Sequence, residues 1–231
     1  MMKKEKDILL QEIHHRVRNN LQIIESLLHL QASKINDSRY LDLFFSYFRR
    51  IHTIASVENS LYSEQCLSSI SFQSFIPRLV ESLRTHLHKK PDDVTVRYKI
   101  DKIKIDINRA IPCALIINEA VSNAMMYAFP GGSKGTIMIR FQKMKNDRSC
   151  LLEIWDNGVG LPSGIDIGRP QTLGLELIKI LSEQINGNLV VTRHNGTKYS
   201  IIFPYRHRHG NFLARFFYRI RFNNAILTET L

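Results

Sequence analysis

The 231-residue sequence predicts an α+β fold in which a helical hairpin precedes an α/β two-layer sandwich. Three observations support this prediction. Apolar residues recur every three or four positions through residues 6–62, which is the period of amphipathic helices. Alternating β-branched residues begin at residue 94 and indicate strands. Helices and strand hairpins then follow without repeated strand-helix-strand units, which favours a mixed sheet covered by helices.

The hairpin comes first in the chain. Apolar spacing predicts one helix over residues 6–31 and another over residues 40–62, with the polar segment 33–39 between them. Because two helices cannot bury both of their apolar faces alone, we expect a homodimer in which two hairpins form a four-helix bundle. We assign this helical unit to residues 1–66.

A second domain is predicted over residues 71–205. Its helices are expected at 72–87, 111–129 and 173–185, and its strands at 94–100, 103–107, 135–144, 149–156, 188–194 and 197–204. The pair Asn195-Gly196 lies between the last two strands and is typical of a tight hairpin turn. These elements make up the predicted sandwich.

The tail, residues 206–231, lies beyond this pattern. It holds five arginines against one glutamate, and its aromatic residues share one side of a helix. Two interpretations stay open: the tail docks on an anionic membrane surface, or it is a poorly ordered appendage without function.

Composition excludes several classes of protein. The formal charge of +11 suits an anionic partner, but no helix-turn-helix pattern or aromatic RNA-binding motif accompanies it, so we expect no nucleic-acid binding. No apolar run reaches the ~20 residues of a membrane span, and the N-terminus lacks a signal peptide, so we expect a cytoplasmic protein. Cys66, Cys113 and Cys150 fit neither a disulfide framework nor a zinc site, and we expect them to be reduced.

His15 points away from the apolar stripe of the first helix. At ~100° per residue, it lies about 160° from the stripe centre, whereas His14 lies about 60° away. Glu12, one turn earlier, can orient the His15 ring or accept its proton. A neutral imidazole held in this way is a nucleophile for a γ-phosphate, and His14 is the second choice of phosphoacceptor.

The segment EIHHRVRNNLQIIESLLHLQA resembles the dimerisation and phosphoacceptor helix of sensor histidine kinases of the HisKA-2 or HWE-like group, whose signature is His-Arg-x-Lys-Asn. The second helix also resembles that group, although Arg18 replaces the usual Lys and Glu58 replaces a common His. The resemblance implies that His15 is the phosphoacceptor. The candidate catalytic residues beside it are Glu12, Arg16 and Asn19.

A second set of candidate residues is spread through four motifs of the predicted sandwich. Glu119 and Asn123 are four residues apart on one helix face, where their oxygens can share a Mg²⁺ ion beside a triphosphate. Asp156 ends a strand and can accept the adenine amino group. Gly174 begins a helix whose free amides can hold phosphate oxygens. Gly196-Thr197 completes the set on a late hairpin.

In this order and spacing, the four motifs resemble those of the GHKL ATPase superfamily over residues 71–205, which implies a Bergerat-type sandwich that binds ATP with Mg²⁺. One departure concerns Met126, which stands where related proteins commonly carry Lys, next to Tyr127. The residues that we predict to contact ATP are Glu119, Asn123, Tyr127, Asp156, Gly158, Gly160, Thr172, Leu173, Gly174, Leu175, Gly196 and Thr197, and those predicted to hold Mg²⁺ are Asn123 and Glu119.

Together, the two resemblances predict a two-component histidine kinase that phosphorylates His15 from ATP and passes the phosphoryl group to an Asp of a response regulator receiver domain. Two alternatives stay open. One is a weak or inactive histidine phosphotransfer protein of the same architecture, which Met126 suggests. The other is a GHKL serine kinase of anti-sigma-factor type. No sensor is recognisable before the first helix, so an upstream sensor protein is a further expected partner.

Overall fold

The computed structural model describes residues 12, 16–17, 19–24, 26–28, 30–31, 37–63, 69–87, 94–144, 148–162, 164–165 and 172–204. The described residues between 12 and 31 are helical. The elements that follow are α1 (Ser38–Ser63), β1 (Ser69–Ser71), α2 (Phe72–His86), β2 (Val94–Ile100), β3 (Lys104–Asp106), α3 (Ile107–Asn123), β4 (Gly135–Lys143), β5 (Ser149–Asp156), α4 (Leu173–Gln184), β6 (Asn188–Thr192) and β7 (Lys198–Pro204).

Five strands form a mixed sheet in the order β2-β4-β5-β7-β6. β2 pairs with β4 in parallel, and the other pairs are antiparallel. β1 and β3 form a separate antiparallel pair. The predicted α/β sandwich with a mixed sheet is therefore confirmed, and the end of β5 and the start of β7 lie side by side.

The core lies between one face of the sheet and the helices. Alternate residues of β4, including Ile137, Ile139 and Phe141, are fully buried, as expected for strands with one covered face. Phe72, the first residue of α2, stacks on Phe141 with ring centroids 5.0 Å apart. These contacts hold the helical layer against the middle of the sheet.

α3 is the central helix of this layer and is buried on nearly all sides. Its N-cap is Asp106, whose side chain accepts a hydrogen bond from the Asn108 amide at 3.1 Å. The helix predicted over 111–129 therefore begins earlier than expected, because this cap allows it to start at Ile107. At its end the chain changes into a π-helical turn, Ala124–Ala128, followed by a 3₁₀ turn, Pro130–Gly132.

α1 packs on the sandwich through residues in its second half. Thr53, Val57 and Leu61 are buried, and Val57 and Leu61 belong to the same hydrophobic core as α3. The helix therefore lies beside α3 and brings polar side chains close to it. This contact was not predicted from the sequence.

The described cysteines, Cys113 and Cys150, are buried and unpaired, as predicted. Burial raises the pKa of the Cys150 thiol to about 11, which keeps it protonated at neutral pH. Cys66 and the tail, 206–231, lie outside the described residues. Of the helices that the structure describes, none is both long enough and apolar enough to cross a membrane.

Candidate active site

A cavity of about 980 Å³ lies where α1, α3, the π-helical turn, the end of β5 and the start of α4 meet. Ten of the twelve residues predicted to contact ATP line it, although they come from four separate motifs. They are Glu119, Asn123, Tyr127, Asp156, Gly160, Thr172, Leu173, Gly174, Leu175 and Thr197.

Asp156 forms one end of this cavity. Its side chain is only 4% exposed, and Oδ1 accepts a hydrogen bond from the Gly158 amide at 3.0 Å. Burial raises the pKa of this carboxyl, while hydrogen bonds from Gly158 and Thr197 act in the opposite direction. The result is a fixed acceptor in an apolar pocket, which suits recognition of an exocyclic amino group.

Gly158 and Gly196 do not line the cavity but shape its Asp156 end. A Cβ at Gly158 would lie 2.2 Å from the Ala128 carbonyl oxygen, and one at Gly196 would lie 1.8 Å from the Asp156 carbonyl oxygen. Gly196 also has a φ of +105°, a backbone angle that residues with a side chain rarely adopt. Both glycines therefore allow backbones to approach closely behind Asp156.

The opposite end combines α3 with the start of α4. A Cβ at Gly174 would lie 2.9 Å from Glu119 Oε2 and 3.6 Å from Asn123 Nδ2, so a side chain there would crowd both groups. Thr172 caps α4 without a side-chain hydrogen bond to the helix. The start of α4 thus lies beside the Glu119 and Asn123 pair, and the first amides of a helix, which have no partner within the helix, suit phosphate oxygens.

Glu119 is held by an arginine of α1. Arg50 Nε lies 2.9 Å from Glu119 Oε1, and Arg50 Nη2 lies 2.9 Å from Oε2. Asn118 Nδ2 donates to Oε1 as well, also at 2.9 Å. The side chains of both charged partners are nearly buried, and their hydrogen bond raises the pKa of Arg50.

Three polar residues are among those of the cavity that sequence reasoning missed. Arg49 and Arg50 reach it from α1, and Tyr199 reaches it from β7. The Tyr199 hydroxyl forms a hydrogen bond with the Asn123 side chain, and burial raises its pKa to about 12. The charged pair Arg49-Arg50 within an otherwise apolar stretch was a signal for this contact, but the sequence does not show that α1 lies against α3.

His15 and His14 lie outside the described residues, so the role of His15 stays a prediction. Among its predicted neighbours, Glu12 and Arg16 form an exposed ion pair, with Glu12 Oε1 2.8 Å from Arg16 Nε. Asn19 is exposed on the same helical stretch. The predicted contact from Glu12 to His15 is likewise untested.

Two family models match this chain in succession. The model described as histidine kinase, HisKA_2, matches residues 12–87, and the model described as histidine kinase-, DNA gyrase B-, and HSP90-like ATPase matches residues 108–207. This chain belongs to the histidine kinase family. The GHKL motifs predicted from the sequence therefore fall within the second matched segment, and His15 with its candidate catalytic neighbours falls within the first.

Curated relatives agree with this family. The sensor histidine kinase PdtaS of Mycobacterium tuberculosis strain H37Rv is 30% identical over 196 residues, covering 83% of this chain and 38% of the relative. The blue-light-activated histidine kinase 2 of Erythrobacter litoralis is 24% identical over 209 residues, covering 87% of this chain and 58% of the relative. The chain thus spans 38% to 58% of the length of these relatives.

A solved structure shows the same fold. The histidine kinase domain of the Erythrobacter litoralis EL346 blue-light-activated kinase superposes with a TM-score of 0.64, covering 87% of this chain and 96% of that domain at 23% identity. The α+β fold with a GHKL sandwich is confirmed. The dimeric four-helix bundle stays a prediction, since one chain is described.

Kinase domains of this ATPase family use ATP, usually with Mg²⁺, and the cavity fits a nucleotide. It combines a buried acceptor at Asp156 with Gly174 in the first turn of α4, where a helix leaves amides without an internal partner. The oxygens of Asn123 and Glu119 are of the kind that Mg²⁺ prefers. Arg50 engages both oxygens of Glu119 in this structure, and Oε2 keeps a lone pair that a metal ion could use.

Proposed function

We propose that this protein is an ATP-dependent histidine kinase that phosphorylates His15 and passes the phosphoryl group to an Asp of a response regulator receiver domain. The observation that carries the proposal is that ten predicted ATP-contact residues, distant in sequence, line one cavity beside a helix of the HisKA_2 segment. Random surface motifs would not converge in this way.

The residues have separate roles in this proposal. Asp156 accepts the adenine amino group, and the glycines behind it let the backbone approach the base. The amides at the start of α4 bind phosphate oxygens near Gly174. Asn123, together with Glu119, would hold Mg²⁺, which supplies neutralisation of the phosphate charge.

His15 provides the nucleophile. An imidazole nitrogen forms a bond to the γ-phosphorus while the bond from phosphorus to the bridging oxygen breaks, and ADP leaves. A hydrogen-bond acceptor on the other ring nitrogen, for which we propose Glu12, holds the ring and takes up its proton. Most of the catalysis then comes from positioning and charge neutralisation.

Histidine kinases of two-component systems act as dimers and pass phosphate to response regulators. For this chain we propose a homodimer through the helical hairpin, a receiver domain as the phosphoryl acceptor and an upstream sensor protein as the source of the signal. Residues 1–66 and 71–205 would be the phosphotransfer and ATP-binding domains. Docking of the tail, 206–231, on an anionic membrane surface is a further proposal.

Autophosphorylation with labelled ATP tests this function directly. The wild-type chain should acquire phosphate that is stable in alkali and labile in acid, as expected of phosphohistidine. His15→Ala should abolish the label, and Asn123→Ala should lower its rate at least tenfold, a loss of about 1.4 kcal/mol of transition-state stabilisation. Arg97→Ala, an exposed change on β2 away from the cavity, is the matched control. Normal labelling of His15→Ala would disprove the assignment of the phosphoacceptor.

A weak or inactive phosphotransfer protein is the second candidate, and Met126 favours it. This residue lines the cavity at a position where a lysine would supply a phosphate-binding charge. Absence of Mg·ATP binding, combined with phosphate exchange between His15 and a phosphorylated receiver, would support this candidate instead.

A serine kinase of anti-sigma-factor type gains no such support, because it has no need of the HisKA_2 segment that the chain contains.

A further inference from the structure

Two neighbouring arginines of α1 reach into the nucleotide cavity, and they differ in their partners. Arg50 is engaged in a bidentate ion pair with Glu119, at 2.9 Å through each of two nitrogens. Arg49 lines the same cavity but forms no such ion pair with any residue that the structure describes. The side chain of Arg50 therefore fixes Glu119, while the charge of Arg49 is left for another partner.

Arg49 is unusual because it is deeply buried and lacks a hydrogen-bond partner at Nε. The residue is 7% exposed, and Nε is shielded from solvent with no partner in the part of the chain that the structure describes. A buried N–H group without a partner is costly, and native structures keep few of them. Burial lowers the pKa of Arg49, and the charge of Glu119 is the largest opposing influence.

Glu119 cannot fully neutralise both arginines. Both of its oxygens accept hydrogen bonds from Arg50, and Oε1 also accepts one from Asn118. Asp42, the other acidic residue near Arg49, is exposed, so solvent screens its charge. The buried guanidinium of Arg49 and the nearly buried guanidinium of Arg50 therefore share one buried carboxylate, Glu119.

The position of Arg49 matches the phosphate end of the cavity. Arg49 is next to Arg50 in α1, and Arg50 contacts Glu119 directly; the charge of Glu119 acts on Arg49 as well. Glu119 in turn faces Gly174 at the start of α4. No lysine is among the described residues that line the cavity, so Arg49 is the lining cation that Glu119 does not already hold in an ion pair.

We propose that Arg49 is a phosphate-binding residue of the nucleotide cavity, whose guanidinium contacts the terminal phosphates of ATP held between Asn123 and Gly174. The proposal rests on the proposed ATP binding and adds that α1, from the HisKA_2 segment, completes the ATP site. Arg50 is the positioning residue beside it, because it fixes Glu119. Arginine suits this role, since its planar donors match phosphate oxygens in pairs.

Binding measurements with three ligands test the role of Arg49. Mg·ATP, Mg·ADP and adenosine are titrated into the full chain by calorimetry or by chemical-shift changes, for wild type, Arg49→Ala, Arg49→Lys and the control Arg97→Ala. Arg49→Ala should weaken ATP binding by about tenfold to a hundredfold, the value of a charge-assisted hydrogen bond, while adenosine binding stays unchanged. Arg49→Lys should recover part of the loss, and the control should match wild type.

The outcomes separate this proposal from the one on which it rests. If wild type binds no nucleotide, the proposed kinase function fails. If wild type binds ATP and Arg49→Ala binds it equally well, only the role of Arg49 is overturned. Equal losses for ATP and adenosine would also overturn it, because they indicate a structural role. If Arg49→Ala does not fold, Arg49→Lys serves as the test variant. The measured quantity is then the ratio of its ATP affinity to its adenosine affinity. A ratio equal to that of wild type contradicts the proposal.

Discussion

At the residue scale, the cavity depends on charged and polar groups held in fixed positions by burial. Asp156 is an acceptor because its strand ends where β7 begins, and Glu119 is held because Arg50 reaches it from another helix. Burial raises the pKa of Asp156, so its ionised carboxylate costs folding free energy, and groups of this kind are common at ligand-binding sites. Removal of the Asp156 carboxylate should therefore lower ATP affinity without lowering the free energy of unfolding.

Asp156→Asn tests this expectation. The amide keeps an acceptor for the Gly158 N–H but cannot accept from adenine in the same way, so ATP affinity should fall at least tenfold. Without nucleotide, the free energy of unfolding at pH 7 should stay equal or rise, because a buried charge has been removed. Urea titration and calorimetry measure the two effects.

The destabilisation caused by ionised Asp156 should also appear in the pH dependence of the free energy of unfolding. The folded-state pKa of Asp156 is raised above its unfolded value, so the folded carboxyl holds its proton more tightly. The unfavourable contribution of Asp156 is therefore absent below the unfolded pKa of about 3.9 and complete above the folded pKa. The stability of Asp156→Asn relative to wild type should rise between pH 4 and pH 7, and a fall over that range would contradict this account.

At the element scale, the site lies where the ends of several elements meet. The β6–β7 hairpin passes directly behind Asp156, the π-helical turn after α3 contacts Gly158, and α4 begins beside Glu119. Each of these close contacts requires a glycine, because a side chain at that position would clash with its neighbours. The hairpin is the tightest of these contacts, so it should be the most sensitive to substitution.

Gly196→Ala should destabilise the hairpin and the Asp156 pocket together. Its φ of +105° disfavours alanine, and the new Cβ would meet the Asp156 backbone, which cannot move like a flexible side chain. We expect a loss of more than about 1 kcal/mol in the free energy of unfolding, measured by urea denaturation, and weaker ATP binding.

Gly164→Ala is the matched control for that change. A Cβ at Gly164 meets nothing within 4 Å, and its φ lies outside the range that is strained for alanine. Its stability should stay within about 0.5 kcal/mol of wild type. Equal stabilities of the two variants would show that the close approach at Gly196 does not matter.

At the scale of the whole molecule, the helical stretch 12–31 leaves large apolar side chains in contact with water. Ile23, Leu27 and Leu30 are 58%, 55% and 65% exposed in the single chain. Exposed apolar surface of this kind favours burial against a second copy, as in a four-helix bundle. The homodimer predicted from the sequence would cover it.

The double variant Leu27→Asp/Leu30→Asp should be a monomer where wild type is a dimer. Two charges placed in an apolar helix interface would be buried without partners, and dissociation avoids that cost. Sedimentation equilibrium at micromolar concentration measures the state. Val190→Asp, which changes an exposed apolar residue on β6, should remain dimeric. A monomeric wild type would show that the predicted bundle does not form.

Most of the elements could be predicted from the sequence, because apolar periodicity reflects which face of each segment is covered. Six of the seven described strands came within two residues of their observed bounds, and the short strand β1 was not predicted. The helix starting at Leu173 was correct at its start. α3 began earlier than predicted because Asp106 caps it, a local contact that periodicity does not record. The π-helical turn at its end was also missed, since local sequence preferences do not distinguish it from an α-helix.

The sequence by itself determined the family, the fold class and the order of the motifs around the nucleotide cavity, because each motif depends on residues close together in the chain. Only the tertiary structure decided that Arg50 holds Glu119 and that Arg49 enters the same cavity, since these residues lie 69 or more positions from their partners in α3. Packing of α1 on α3 depends on the shapes of two buried helix faces. A pattern read along one helix shows that such a face exists, but it does not show which face it meets.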